Sequence, residues 1–325
     1  MMSAILKVAR WEFLQNIKSR RFLMTTVLIP MIIFGFSSIG IWISSSDSRL
    51  PSGQTPFNRQ ALERMLQSNP QDLSDDEIKL QQSIVVAVPS LFAFVFIWSS
   101  LFSVVMVLMG VIREKQSRVV ELLLSSISPN ELMHGKILGF AGLGLVQVLI
   151  WVAIGLGLFL IFGPFLGLPS PLLFSLVLKF MPLSTLVLYL LFFVLGYLFI
   201  AALSAAMGAT MGVEDVLSGQ QLQSTIILMP MILPLMLLTQ IIEDPNGPLA
   251  MTFSFIPFTA PTTMIMRLAV YSLNPVPVWQ IALSLVFLVL SCGLAMRLAA
   301  KVFSVGILLY GKSASLGEMW TWLRR

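Results

Sequence analysis

Six stretches of this chain, 22–45, 83–112, 137–162, 181–213, 224–242 and 276–296, contain no charged residue over close to membrane-crossing length, and this restricts the fold more than any other feature. A hydrocarbon core about 30 Å thick takes about 20 apolar residues of helix to cross. In that medium every backbone N–H and C=O must be satisfied within the protein, so only helices and closed barrels can span it. Barrel strands are short and alternate in polarity every second residue, whereas these stretches are long and uniformly apolar. An all-α, polytopic membrane protein with six transmembrane helices is expected. Composition agrees, since 11% of the residues are charged against about 25% in a soluble domain.

Basic residues mark the cytoplasmic ends of spans. With both termini inside, 14 of the 20 Lys and Arg residues are cytoplasmic, in 1–21, 113–136 and 297–325. The other six, Arg49, Arg59, Arg64, Lys79, Lys179 and Arg267, fall in the outer segments 46–82, 163–180 and 243–275. The remaining inner loop, 214–223, holds Glu214 and Asp215. A multi-pass protein of a bacterial or archaeal cell membrane with cytoplasmic termini is expected. The first span is followed by Ser44, Ser45, Ser46 and Asp47 without an A-x-A site, so it reads as a retained anchor and not a signal peptide. The positive charge brackets spans instead of forming a nucleic-acid patch. His134 and Cys292 are each the sole residue of their type, which excludes a metal site built from several His or Cys ligands, and no catalytic motif is present.

Between the spans, helix signals recur. In 1–21, Leu6, Phe13 and Ile17 share one helical face and Lys7, Arg10, Lys18 and Arg21 another, predicting a helix in the cytoplasmic membrane interface. Thr55 before Pro56 and the box Ser74-Asp75-Asp76-Glu77 predict a small helical cap within 46–82. Pro245, Pro248, Pro257, Pro261 and Pro275 break 243–275, predicting a re-entrant or interfacial helical hairpin before the last span. Arg267 there reads as a structural interfacial arginine or as a partner for an anionic headgroup or substrate. Pro230 and Pro234 should kink the fifth span. Polar Gln147, Ser204, Gln240 and Ser291 suit interhelical hydrogen bonds or a pathway.

The most informative segment is the inner loop 113–136, REKQSRVVELLLSSISPNELMHGK. Glu114, Arg118 and Glu121 are spaced for ion pairs along one short helix, Leu122, Leu123 and Leu124 follow, and Ser128-Pro129-Asn130-Glu131 reads as the capping box of a second helix. Two helices meeting at a corner make a stiff cytoplasmic elbow.

The run REKQSRVVELLLSSISPNELMHGKIL resembles the signature of type-2 ABC exporter permeases: an acidic helix, leucines, a Ser/Pro corner and Gly-Lys entering the third span. SFIPFTAP at 254–261 with Arg267 is similar to that family's extracellular proline-rich element, and AKVFSVGILLYGK at 300–312 to its C-terminal stretch. The resemblance is closest to the sodium-efflux branch, whose members often carry a larger domain between the first two spans. It implies a permease subunit that couples ATP hydrolysis on a separate ABC ATP-binding subunit to efflux, with sodium as that branch's cargo. Glu121, Leu122 and Leu123 would contact the ATPase, supported by Glu114, Lys115, Arg118 and Pro129. Pro257, Pro261, Arg267 and Gln240 would lie at a pathway or extracellular gate. The resemblance further implies ATP and Mg on the partner alone, no cofactor on this chain, and a second permease chain in a homodimer or heterodimer among membrane lipids.

Two motif matches are discounted. GILLYGKS at 306–313 fits a P-loop expression, and LSGQQ at 217–221 echoes the ABC ATPase signature. Neither lies in the strand-to-helix context of a nucleotide-binding domain. A secondary transporter driven by an ion gradient is the alternative, though such carriers generally place a carboxylate or other ion site inside the membrane, and the six spans hold no charged residue. The topology predicts that a cysteine at Ser126, with Cys292 replaced by Ala, reacts with an impermeant maleimide only once the cytoplasmic side is opened. Labelling on intact cells would invert it.

Overall fold

The computed structural model describes residues 3–20, 22–28, 30–32, 93–101, 105–114, 125–162, 183–211, 224–269 and 275–306, with isolated positions 63, 64, 67, 171, 172, 174, 175 and 221. Expectations for the outer cap in 46–82, the elbow's 115–124, the loops 163–180 and 214–223, and the tail 307–325 therefore fall largely or wholly outside the described residues. Among the described residues no β-strand occurs. Helix α1 is Ala4–Ile17 and α2 is Phe22–Ile32. They are followed by α3, Ala93–Glu114, α4, Pro129–Phe162, and α5, Leu183–Thr210. A π-helical turn, Ser224–Leu228, leads into α6, Met229–Met236, and α7, Leu238–Glu243. Two short helices, α8 (Pro248–Phe255) and α9 (Ala260–Ala269), precede α10, Val278–Gly306.

Among the described residues four helices are long and apolar enough to cross a bilayer, α3, α4, α5 and α10. Of the stretch expected as the first span the described part is α2, up to Ile32, and the stretch expected as the fifth is divided into shorter helices. Pro230 and Pro234 cannot donate to the carbonyls one turn back, and the turn ahead of them is π-helical. The helix then closes at Leu237, whose N–H is shared between the Leu233 and Pro234 carbonyls at 3.3 and 3.2 Å. Two helices run beyond the charge-free stretches. The capped helix of the elbow and the third span are one continuous helix, α4, because nothing from Glu131 to Ile137 interrupts the backbone ladder. Likewise α10 continues past Met296 through Arg297 and Lys301 to Gly306, so the tail begins as helix.

Helix α5 is the hub, packed against α4, α9 and α10. In lipid no hydrophobic effect pulls helices together, so close approach through small residues supplies the cohesion. Glycine occupies the contact points: a Cβ on Gly208 of α5 would sit 3.0 Å from the Leu108 carbonyl of α3, and one on Gly196 would sit 2.5 Å from Pro261 of α9. A Cβ on Gly144 of α4 would overlap the Tyr197 ring of α5. Around these points Phe96 meets Phe193 edge to face and Phe193 stacks on Tyr197, with centroids 5.2 and 5.9 Å apart. The outward faces keep large apolar side chains exposed, including Leu149 and Ile161 on α4, Leu183 and Leu190 on α5, and Leu290 and Leu294 on α10.

Replacing Gly144 by Ala should lower stability by roughly 1–3 kcal/mol through overpacking against Tyr197. Gly155→Ala, where a new methyl meets nothing within 4 Å, should leave thermal denaturation in detergent unchanged. Equal melting of the two variants would show that glycine packing does not set the α4–α5 approach.

Candidate functional site

Among the described residues, buried ion-pair and guanidinium chemistry collects at two places, one at each end of the bundle. The first is the base of the elbow. Ser128 caps α4 reciprocally: its N–H and Oγ–H donate to Glu131 Oε2 at 3.0 and 2.8 Å, and Glu131 N–H donates back to Ser128 Oγ at 3.2 Å. Pro129 at the first helical position has no N–H to leave unsatisfied. Two turns further along, Lys136 is buried, with only 1% of its side chain exposed. Its Nζ donates to Glu12 Oε1 of α1 at 2.6 Å and to Glu114 Oε1, at the end of α3, at 2.5 Å. The other carboxylate oxygen of Glu12 accepts from Asn16 Nδ2 at 3.1 Å. Phe140 lies 5.7 Å beneath the ammonium.

Helix α1 reaches this lysine along a rail of glycines spaced by helical turns. A Cβ on Gly135 would lie 2.6 Å from Val8 Cβ, one on Gly139 2.7 Å from Glu12 Cβ, and one on Gly142 3.3 Å from Phe13. Position numbers rise together, so α1 runs parallel to the opening of α4. The face turned to α4 is centred on buried Glu12, with Val8 and Phe13 beside it, while Leu6 is exposed.

The second cluster surrounds Arg267 of α9, which is fully buried. Its Nε donates to the Pro245 carbonyl at 2.5 Å, and Nη1 to Ser254 Oγ at 2.7 Å and, weakly, to Met264 Sδ at 3.8 Å. Its Nη2 donates to Asn246 Oδ1 at 3.2 Å and to Gln280 Oε1. Burial lowers its pKa to about 10, which leaves it cationic at neutral pH. Ser284 of α10 donates to the Ser254 carbonyl at 2.6 Å. One side chain thus joins the turn after α7, both hairpin helices and the start of α10.

Of the expected coupling residues, Glu114 joins the Lys136 cluster and Pro129 opens α4, while Lys115, Arg118, Glu121, Leu122 and Leu123 lie outside the described residues. Of the expected gate residues, Pro257 occupies the half-buried α8–α9 corner and Pro261 is buried against Gly196 on the helix of Arg267. Gln240 is exposed on α7, apart from these contacts. Among the other polar span residues, Ser204 bonds within its own helix to Ile200 at 2.7 Å. Sequence reasoning missed Glu12, Gln280, Ser254 and Asn246, and took Lys136 only as a topology charge. The signals were present: an acidic residue opposite the basic face of α1, and Gly135-x-x-x-Gly139-x-x-Gly142 beside the lysine. Among the described residues no group of three or more His, Cys, Asp or Glu side chains is placed to hold a metal.

Residues 52–301, from before α3 to within α10, match the family described as ABC-2 family transporter protein. The chain belongs to the ABC-2 transporter family. Two curated proteins are similar to this ABC-2 family chain. The uncharacterized protein MJ1024 of Methanocaldococcus jannaschii is 34% identical over 207 residues, 64% of this chain and 46% of that protein. The uncharacterized protein YhaP of Bacillus subtilis is 30% identical over 234 residues, 68% of this chain and 51% of that protein. The ABC-2 chain thus spans about half the length of these curated relatives. The matched region contains Glu114, Lys136 and Arg267, while α1 with Glu12 precedes it.

Replacing Arg267 by Met should lower stability by roughly 3 kcal/mol, because several buried acceptors lose their donor together. Arg267→Lys should not restore it, since one ammonium cannot reproduce the planar fork. Thermal denaturation, with proteolysis at 244–247 as a local readout, checks both; wild-type melting of either variant would refute the keystone role.

Proposed function

We propose that this chain is the membrane-spanning permease subunit of an ATP-driven exporter whose ATPase is a separate cytoplasmic polypeptide. The family match across the elbow and the helices it joins carries this reading. The elbow 113–136 takes up movement from the ATPase, with Glu121, Leu122 and Leu123 as the contact and Glu114, Lys115, Arg118 and Pro129 supporting it. Two features support a lever there: the reciprocal Ser128–Glu131 cap makes its second arm start sharply, and that arm is continuous with α4. A displacement of the corner is therefore carried into the third span without an intervening flexible joint. Six crossings with both termini inside, and a working unit of two permease chains with two ATPase subunits that bind ATP and Mg, complete the reading. Sodium, the cargo of the most similar branch, is the first ion to assay. Pro257, Pro261 and Arg267 belong in this reading to the outer end, where the hairpin held by Arg267 would border the exit.

Reversing the charge at the contact, Glu121→Lys, should weaken association with the ATPase at least about tenfold, the equivalent of roughly 1.4 kcal/mol, and depress ATP hydrolysis by the complex, with the melting of the bundle unchanged. Co-purification in nanodiscs and turnover measure this. Wild-type association and turnover in the variant would remove the elbow from the contact. A wild-type chain that recruits no ATPase but moves sodium down an imposed gradient would replace the exporter with a gradient-driven carrier.

A further inference from the structure

The elbow is closed at its base by charge, and the closure includes a helix that lies ahead of the family-matched residues. Glu114 ends α3 and Lys136 stands two turns into α4, so their 2.5 Å ion pair joins the two ends of the loop between them. Glu12 joins the same ammonium from a position 124 residues away in sequence. Helix α1 is in turn bound to the first span by a short joint. The Asn16 carbonyl accepts from Ser19 N–H at 3.0 Å, Ser19 Oγ accepts from Phe22 N–H at 3.2 Å, and the Ser19 carbonyl accepts from Leu23 N–H at 3.1 Å. Phe22, the first residue beyond that joint, is buried in the core at 1% exposure.

We infer that Lys136 is a positioning residue that makes α1, the inner end of α3 and the opening of α4 one moving body, so that α1 carries the elbow's displacement to the start of the first span. The inference rests on the permease reading for the source of that displacement; the tie itself is a property of this chain. Stability alone does not account for such a cluster. Withdrawing an ammonium and two carboxylates from water is costly, and apolar side chains of equal volume often hold helices together as well or better. What charges add is a geometry with few alternatives: one ammonium must satisfy two carboxylates on different helices, and the glycine rail lets α1 approach only in the register that delivers Glu12. A sliding or rotating α1 would leave a buried carboxylate unpaired, so α1 follows α4.

The test compares the wild type with Lys136→Met and with the neutral triple variant Lys136→Met, Glu12→Gln, Glu114→Gln, in which no carboxylate of the cluster is left buried and unpaired. Spin labels replace exposed Trp11 on α1 and Leu138 on α4, or Trp11 and Leu294 on α10, with Cys292 changed to Ala. Distances are read in nanodiscs with the ATPase subunit, without nucleotide and with ATP, Mg and vanadate. In the wild type the Trp11–Leu138 distance should be narrow and the same in both states, while Trp11–Leu294 shifts with nucleotide. In the triple variant Trp11–Leu138 should broaden and the Trp11–Leu294 shift should disappear. ATP hydrolysis should fall about fivefold or more, the low end of coupling between linked sites, with assembly retained. A Trp11–Leu138 distance that changes with nucleotide in the wild type overturns the proposal. So does a triple variant with wild-type distances and hydrolysis. If the wild-type chain recruits no ATPase, the permease reading fails and takes transmission with it; recruitment with wild-type behaviour in the triple variant defeats the Lys136 role alone.

Discussion

Removal of water from around the backbone is the constraint on which everything else in this protein depends. A crossing segment must satisfy its own N–H and C=O groups, which makes it a helix. The same medium removes the hydrophobic drive between helices, and cohesion falls to close contact. That is why glycines stand where α4 meets α1 and α5, and where α5 meets α3 and α9. Tyr197 can lie against α4 only because Gly144 carries no side chain, and its ring continues the aromatic group of Phe96 and Phe193. The apolar outer faces of α4, α5 and α10 are the complement of this arrangement, since nothing in lipid penalises leaving them uncovered.

Polar side chains then gather where they can be satisfied, and the two ends of the bundle solve the problem differently. At the elbow, one ammonium bonds carboxyl groups on two other helices. At the hairpin, Pro245, Ser254, Asn246 and Gln280 offer Arg267 neutral acceptors that together engage its fork, so these contacts hold a cation without a carboxylate. The first arrangement is well suited to a part that moves as a block, because its members stay paired as long as they move together. The second fixes a corner of the chain where prolines have already removed backbone donors, and replaces the missing hydrogen bonds with side-chain ones.

Reading these features from the sequence succeeded where the physics is local. The Ser128–Glu131 cap depends on residues three apart, and it forms as its spacing indicates. Pro230 and Pro234 mark the stretch after 224 as irregular, and it is: a π-helical turn leads into Pro230 and the helix closes three residues beyond Pro234. The two short helices α8 and α9 occur where the proline spacing forbids a longer one. The change from charged to apolar residues at Ile137 marks a change of environment and not of backbone, and α4 passes through it unbroken.

The amino-acid sequence alone determined that this chain is helical, that it crosses the membrane several times, and where its helices are capped or broken, because each of these follows from neighbours within a turn or two and from the length of apolar runs. Only the tertiary structure decided that Lys136 belongs with Glu12 and Glu114, that α1 packs by Val8 and Glu12 and not by Leu6, and that Arg267 is enclosed by Asn246, Ser254 and Gln280. Those pairings depend on how each helix is rotated about its axis and which helix lies beside it. Hydropathy along a nearly uniform apolar segment carries little of that information, whereas packing of glycine against a neighbouring backbone does.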